Sequence, residues 1–124
     1  MKIKTSELTG AALNWVCAIA DGKKPRLQRN DDRSLFKQPV YEDDTMWQLD
    51  YTAWGRAGPI IERERIDLMH AHPESSNARM GVHCTAHLNG SYFDGPTPLI
   101  AAMRCFVASK LGDEVEVPDE LIKE

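Results

Sequence analysis

The stretch DGPTPLIAAMRCFVASKLGDEVEVP, Asp94–Pro118, carries the clearest local signals in the chain. Thr97 is a capping residue. Pro98 suits the first helical position, where its missing N–H costs nothing, and Gly112 supplies the stop. The stretch predicts a helix over 98–111. Turned through the helical period, Leu99, Ile100, Met103, Phe106, Val107 and Leu111 fall on one broad arc, which should face a hairpin and the first helix. Ala101, Cys105, Ala108 and Ser109 lie on the other side, and only Arg104 and Lys110 bear charge. A helix with one wet face would place lysines and glutamates there. The back face, with Ala101, Arg104, Cys105 and Ala108, is therefore expected to be covered, either by its own chain or by a second copy in a homodimer.

A first helix is expected from Thr9 to Asp21. Thr9 can cap it, Leu8 and Leu13 occupy the positions of a hydrophobic staple, and Gly22 follows. Only Asn14 and Asp21 mark a wet side. Residues 22–44 carry Pro25, Pro39 and RNDDR with no sustained period, and predict a long polar surface excursion. In TMWQLDYTAWGRAGP, Trp47, Tyr51 and Trp54 have helical spacing that would put all three on one face, with Gly55, Gly58 and Pro59 ending the segment. Pro59 then suits the first turn of another short helix, PIIERERI. IDLMHAH and GVHCTAHL each read as extended, the second alternating Val82, Cys84, Ala86 and Leu88 with His83, Thr85 and His87, and they predict an antiparallel hairpin near 66–72 and 82–88, joined by a loose loop. Val115 and Val117 can add an edge strand, and residues 113–124 form an acidic tail. The fold class is α+β in a single domain, 1–124: two long helices packed on a small antiparallel sheet, with one or two short helices.

Composition sets outer limits. The longest nearly uncharged run, Leu8–Ala20, is too short to span a bilayer, and MKIKTSELTG lacks the pattern of a secretory signal. Cys17, Cys84 and Cys105 contain no C-x-x-C pair and leave an odd thiol, which fits reduced cysteines in the cytoplasm. A net charge of -4 opposes bulk attraction to nucleic acid. Lys23, Lys24, Arg26, Arg29, Arg33 and Lys37 nevertheless gather in one segment beside Phe36, so a basic arm over 23–37 is the alternative route to function.

The blocks MKIKTSELTGAALNWV, YTAWGRAGPIIERERI and GPTPLIAAMRCFVASKLGDEVEVPDEL resemble NinX, a family of phage and prophage proteins of unknown molecular function. The resemblance covers roughly half the chain and leaves 21–50 and 67–93 outside it. It implies an accessory protein of a temperate phage acting in the cytoplasm of a bacterial host. It brings no catalytic residue, cofactor or identified partner.

The candidate chemistry is sparse. His83 and His87 on one strand would lie about 13 Å apart, too far to share an ion. A zinc site could draw on His70, His72 and one histidine of the opposite strand, against the simpler reading of a polar hairpin face. Cys84 would point away from its histidine neighbours, while Cys17 and Cys105 fall within uncharged helix surfaces. Serine-hydrolase and phosphate-loop motifs do not occur, and the acid pairs Asp31–Asp32 and Asp43–Asp44 sit in polar segments. No catalytic residue, metal ligand or cofactor is therefore assigned. The favoured function is a non-enzymatic protein-interaction module with an unknown phage or host protein as partner. Its candidate contact surface is an aromatic face, Trp47, Tyr51 and Trp54, rimmed by Arg56, Arg63 and Arg65, with Glu62 and Glu64 as competing intrachain partners of the arginines.

Overall fold

The helix predicted from Thr97 to Gly112 lies at the centre of the molecule in a computed structural model, which describes residues 1–29, 35–42, 49–70 and 84–121. This helix, α3 (Pro98–Leu111), starts where Thr97 Oγ1 accepts the Ile100 N–H at 3.2 Å and ends at Gly112, whose φ of 93° favours glycine. Before it in the chain come α1 (Gly10–Ala20) and α2 (Trp54–Glu64). Among the described residues the strands are β1 (Lys2–Lys4), β2 (Pro25–Arg29), β3 (Leu35–Glu42), β4 (Asp67–His70), β5 (Cys84–Leu88), β6 (Ser91–Gly95) and β7 (Glu114–Glu116). The fold is α+β. Among the described residues the strands form three antiparallel sheets rather than one, ordered β1-β7, β2-β3 and β4-β5-β6. The helices also differ from the expected two long and one or two short: α1 and α2 each have 11 residues and α3 has 14.

The three-stranded sheet follows the alternation in the sequence. Asp67 pairs with His87 and Met69 with Thr85, so Leu68, Cys84, Ala86 and Leu88 turn together toward α3. Asn89 and Gly90, with φ of 51° and 87°, make the tight turn that returns the chain as β6. Val115 lies in β7, which pairs with β1 and joins the two ends of the described chain through Ile3 and Val115. Thr5, buried just after β1, donates its hydroxyl to Gly112 O at 2.7 Å and fixes the exit from α3.

The small face of α3 meets the sheet. The Cys105 thiol donates to Ala86 O at 3.1 Å, and a Cβ on Gly95 would sit 2.8 Å from Ala101 N. Small side chains let the β5 and β6 backbones approach the helix. Ala101, Arg104 and Cys105 are therefore buried within the chain, and Ala108 is half-buried, so of the two covers expected for this face its own chain supplies the one that buries these residues. Leu111, placed on the core arc by its spacing, is instead exposed at the helix end.

All three cysteines are buried, and burial pushes the Cys17 and Cys84 thiols upward and Cys105 to about 11. At neutral pH they remain thiols behind packed side chains. A thiol reagent should leave all three unmodified in the native protein at every protein concentration, and modify all three in denaturant. Modification of Cys105 on dilution would mean that a second subunit covers it.

Three segments depart from the expectation drawn on them. The excursion over 22–44 contains the β2–β3 hairpin, in which Leu27 pairs with the buried Val40, while Pro25 opens one strand and Pro39 lies in the other. The helix expected to end at Gly55–Pro59 instead begins at Trp54 and runs through Pro59 to Glu64, where Arg65 takes the left-handed conformation at φ 58°. Gly55 and Pro59 are both exposed, so the carbonyl that the proline cannot satisfy meets water. Ala57 and Ile60 bury the inner stripe.

Asn14 is the third departure. It is fully buried, and its Oδ1 accepts the Tyr51 N–H at 2.7 Å, tying the middle of α1 to the turn before α2. Asn14→Leu should remove about 2 kcal/mol of stability by leaving that N–H unpaired inside the protein. Urea unfolding would measure the loss.

Candidate functional site

An open cleft of 590 Å³ lies where the end of α1 meets the start of α2. Asp21 and Lys23 line it from α1 and the residues after it; Asp50, Ala53, Gly55, Arg56, Pro59, Ile60 and Arg63 complete the wall. Its formal charges are three cations against two carboxylates. Asp21, at the C-terminal cap of α1, organises one side. It accepts the Tyr51 hydroxyl at 3.0 Å and lies 3.6 Å from Arg63, which also pairs with Glu64 at 2.9 Å. Lys110 of α3 reaches the same Glu64 at 3.7 Å. The Arg56 guanidinium stands over the Tyr51 ring at 5.5 Å, and Arg63 over the Phe106 ring at 5.8 Å. Burial and the adjacent Asp21 carboxylate raise the Tyr51 phenol well above its usual range, so it is a fixed hydrogen-bond donor. Asp50 turns inward on its own segment, accepting the Thr52 N–H at 3.0 Å and the Thr52 hydroxyl.

The expected aromatic face is divided by this arrangement. Tyr51 is wholly buried in the turn before α2, whereas Trp54 opens the helix with 60% of its surface exposed, between two residues that line the cleft. Trp47 lies outside the described residues. Of the three rim arginines, Arg56 and Arg63 reach the cleft; Arg65, which caps the far end of α2, does not line it. Glu64 competes for Arg63 as expected. The spacing of Tyr51 and Trp54 does not put them on one face, because the helix begins only at Trp54.

The family model for Bacteriophage P22, NinX matches residues 4–110. The chain belongs to the NinX family. The match takes in 21–50 and 67–93, which the resemblance had left aside, and it contains every residue of the cleft. No curated protein matches this NinX chain.

Two cleft residues, Asp21 and Asp50, were not singled out as site residues by sequence, and Lys23 was singled out only as part of the basic segment. Their spacing carries no motif, and only the docking of α2 beside the end of α1 brings them together. The basic segment contributes Lys23, which lies 3.9 Å from Glu42 of β3. Arg33 lies outside the described residues.

Of the histidines, His70 and His87 are among the described residues, both in the three-stranded sheet. His70 ends β4 opposite Cys84, while His72 and His83 lie outside the described residues. His87 stands 3.3 Å from Asp67 through Nδ1, accepts the Gly90 N–H at Nε2 at 3.1 Å, and stacks on Tyr92 at 4.5 Å. With Nε2 accepting, the neutral ring carries its proton on Nδ1, toward Asp67. Among the described residues no three histidines, cysteines or carboxylates gather as metal ligands, and no helix is long and apolar enough to cross a membrane.

Proposed function

We propose that this NinX-family chain is a non-enzymatic accessory protein that binds another protein in the cytoplasm of the phage-infected bacterium, using Trp54 and the cleft beside it. The observation that carries this reading is the placement of Trp54. A tryptophan with 60% of its surface exposed lies in the chain between Ala53 and Gly55, which line a concavity whose charged groups are held by their neighbours. Aromatic and arginine side chains dominate binding energy in protein interfaces, and a fixed arrangement loses little freedom on binding. Arg56 and Arg63 present cations oriented by the Tyr51 and Phe106 rings and by Asp21 and Glu64. An acidic or mixed-charge surface with an apolar recess for the indole fits this face.

Affinity capture from infected-cell lysate, with and without nuclease, tests the reading. A protein that survives nuclease and is lost with Trp54→Ala supports it. The exposed position limits the cost to folding to within about 0.5 kcal/mol, while a central interface tryptophan contributes about 2 kcal/mol or more, roughly thirtyfold in affinity. Equal recovery by both proteins sinks the reading. Recovery abolished by nuclease transfers function to the basic segment 23–37 as a nucleic-acid-binding arm. A second copy of the chain is the remaining partner, and light scattering that reports a monomer at all concentrations removes it.

A further inference from the structure

Arg104 sits where a charge is costly. It is 8% exposed, and its Nε donates to Leu8 O at 2.9 Å while Nη1 donates to Asp94 O. Neither acceptor is charged. Asp94 is the nearby carboxylate that favours the Arg104 charge, but among the described residues it forms no ion pair with Arg104 and instead accepts the Thr85 hydroxyl at 2.8 Å. A guanidinium has five N–H donors, so three remain beyond those two bonds. Among the described residues no buried side-chain nitrogen or oxygen lacks a partner, so Nη2, which bonds no described residue, meets solvent. Arg104 lines a pocket of 380 Å³ together with Ser6, Tyr92, Phe93, Asp94, Gly95 and Pro96. This pocket shares no lining residue with the cleft at α2.

We infer that this pocket is a carboxylate-binding site, in which Arg104 receives the anion, Ser6 offers a second donor, and the Tyr92 and Phe93 rings wall the group that carries it. A planar carboxylate matches the remaining edge of a guanidinium and adds the paired contact that Asp94, which acts on Arg104 only through its nearby charge, does not make. The Asp94 side chain on the same wall disfavours a phosphate dianion, which would bring a second negative charge. The volume suits a group the size of one amino acid. A free aromatic acid and the C-terminal end of a peptide present the same chemistry, and the experiment separates them.

The isotopically labelled full chain is titrated at constant ionic strength with benzoate, a short peptide ending in phenylalanine with a free carboxylate, the same peptide amidated, inorganic phosphate, and chloride. Nuclear magnetic resonance follows the Arg104 Nε–H and the Gly95 and Ser6 amides. Benzoate or the free-ended peptide should shift them saturably in the millimolar range, the tighter of the two identifying the source; the amidated peptide and chloride should not. Absence of saturable shifts with both carboxylates overturns the inference, as does equal binding of phosphate. Arg104 also holds the fold together, so Ser6→Trp supplies the independent variant: it narrows the mouth at an exposed position and leaves both Arg104 bonds in place. It should weaken carboxylate binding about tenfold, or about 1.4 kcal/mol. Unchanged affinity in that variant also overturns the inference.

Discussion

Phe106→Ala is expected to lower the free energy of unfolding by about 4 kcal/mol, among the largest effects of any single substitution in this chain. Phe106 is fully buried in the middle of α3 and is one of the largest wholly enclosed side chains. Removing its ring forfeits the transfer energy of the lost carbons and leaves a cavity that the surrounding backbone cannot close. The ring also supports the Arg63 guanidinium, so its loss reaches the α2 cleft from beneath. A domain of this size has about 5–15 kcal/mol in hand, which puts the variant near the threshold of folding. Phe106→Leu should cost about 1 kcal/mol, because volume and character are mostly kept. Urea unfolding of both variants checks the pair, and a loss below about 1.5 kcal/mol for the alanine would contradict the packing described for α3.

Arg104→Met should cost about 3 kcal/mol for a different reason. Its guanidinium joins Leu8 O, just before α1, to Asp94 O, near the end of β6. Methionine fills much of the same space and leaves both carbonyls without that donor. Arg104→Lys should lose most of the same stability, since one ammonium on a flexible stem cannot reproduce two bonds in divergent directions. Retention of full stability by the lysine variant would show that charge, not bridging, is what the position requires. Burial lowers the Arg104 pKa and the nearby Asp94 opposes that change, yet a guanidinium remains charged throughout the accessible pH range.

These two residues also mark the reach of sequence reasoning. The limits of α3 were legible because Thr97, Pro98 and Gly112 act locally, and each signal agrees with the others. The β4–β5 hairpin was legible because its alternation coincides with a sheet that has one buried face. The direction of α3 was not. Its small residues were assigned to a back face, but they are the side that a sheet can approach most closely, as Gly95 against Ala101 makes plain. Local signals misled at α2, where Gly55, Gly58 and Pro59 look like breakers but lie on or near the exposed side of a helix anchored by Ala57 and Ile60. Asn14 looked like a wet position because its amide is polar; its acceptor role toward Tyr51 depends on a contact 37 residues away. The cleft follows the same rule. Trp54, Arg56 and Arg63 were visible as residue types, whereas Asp21 and Asp50 acquired meaning only through docking.

The central functional claim is that a protein partner seats on Trp54, and photocrosslinking during infection tests it most directly. Trp54→p-benzoylphenylalanine places the reactive group at the exposed position between two cleft-lining residues, and Met69→p-benzoylphenylalanine provides an exposed control on β4. Discrete protein adducts from position 54 that persist after nuclease and do not form from position 69 are the expected result. No adduct from position 54, the same adducts from both positions, or adducts removed by nuclease would contradict it.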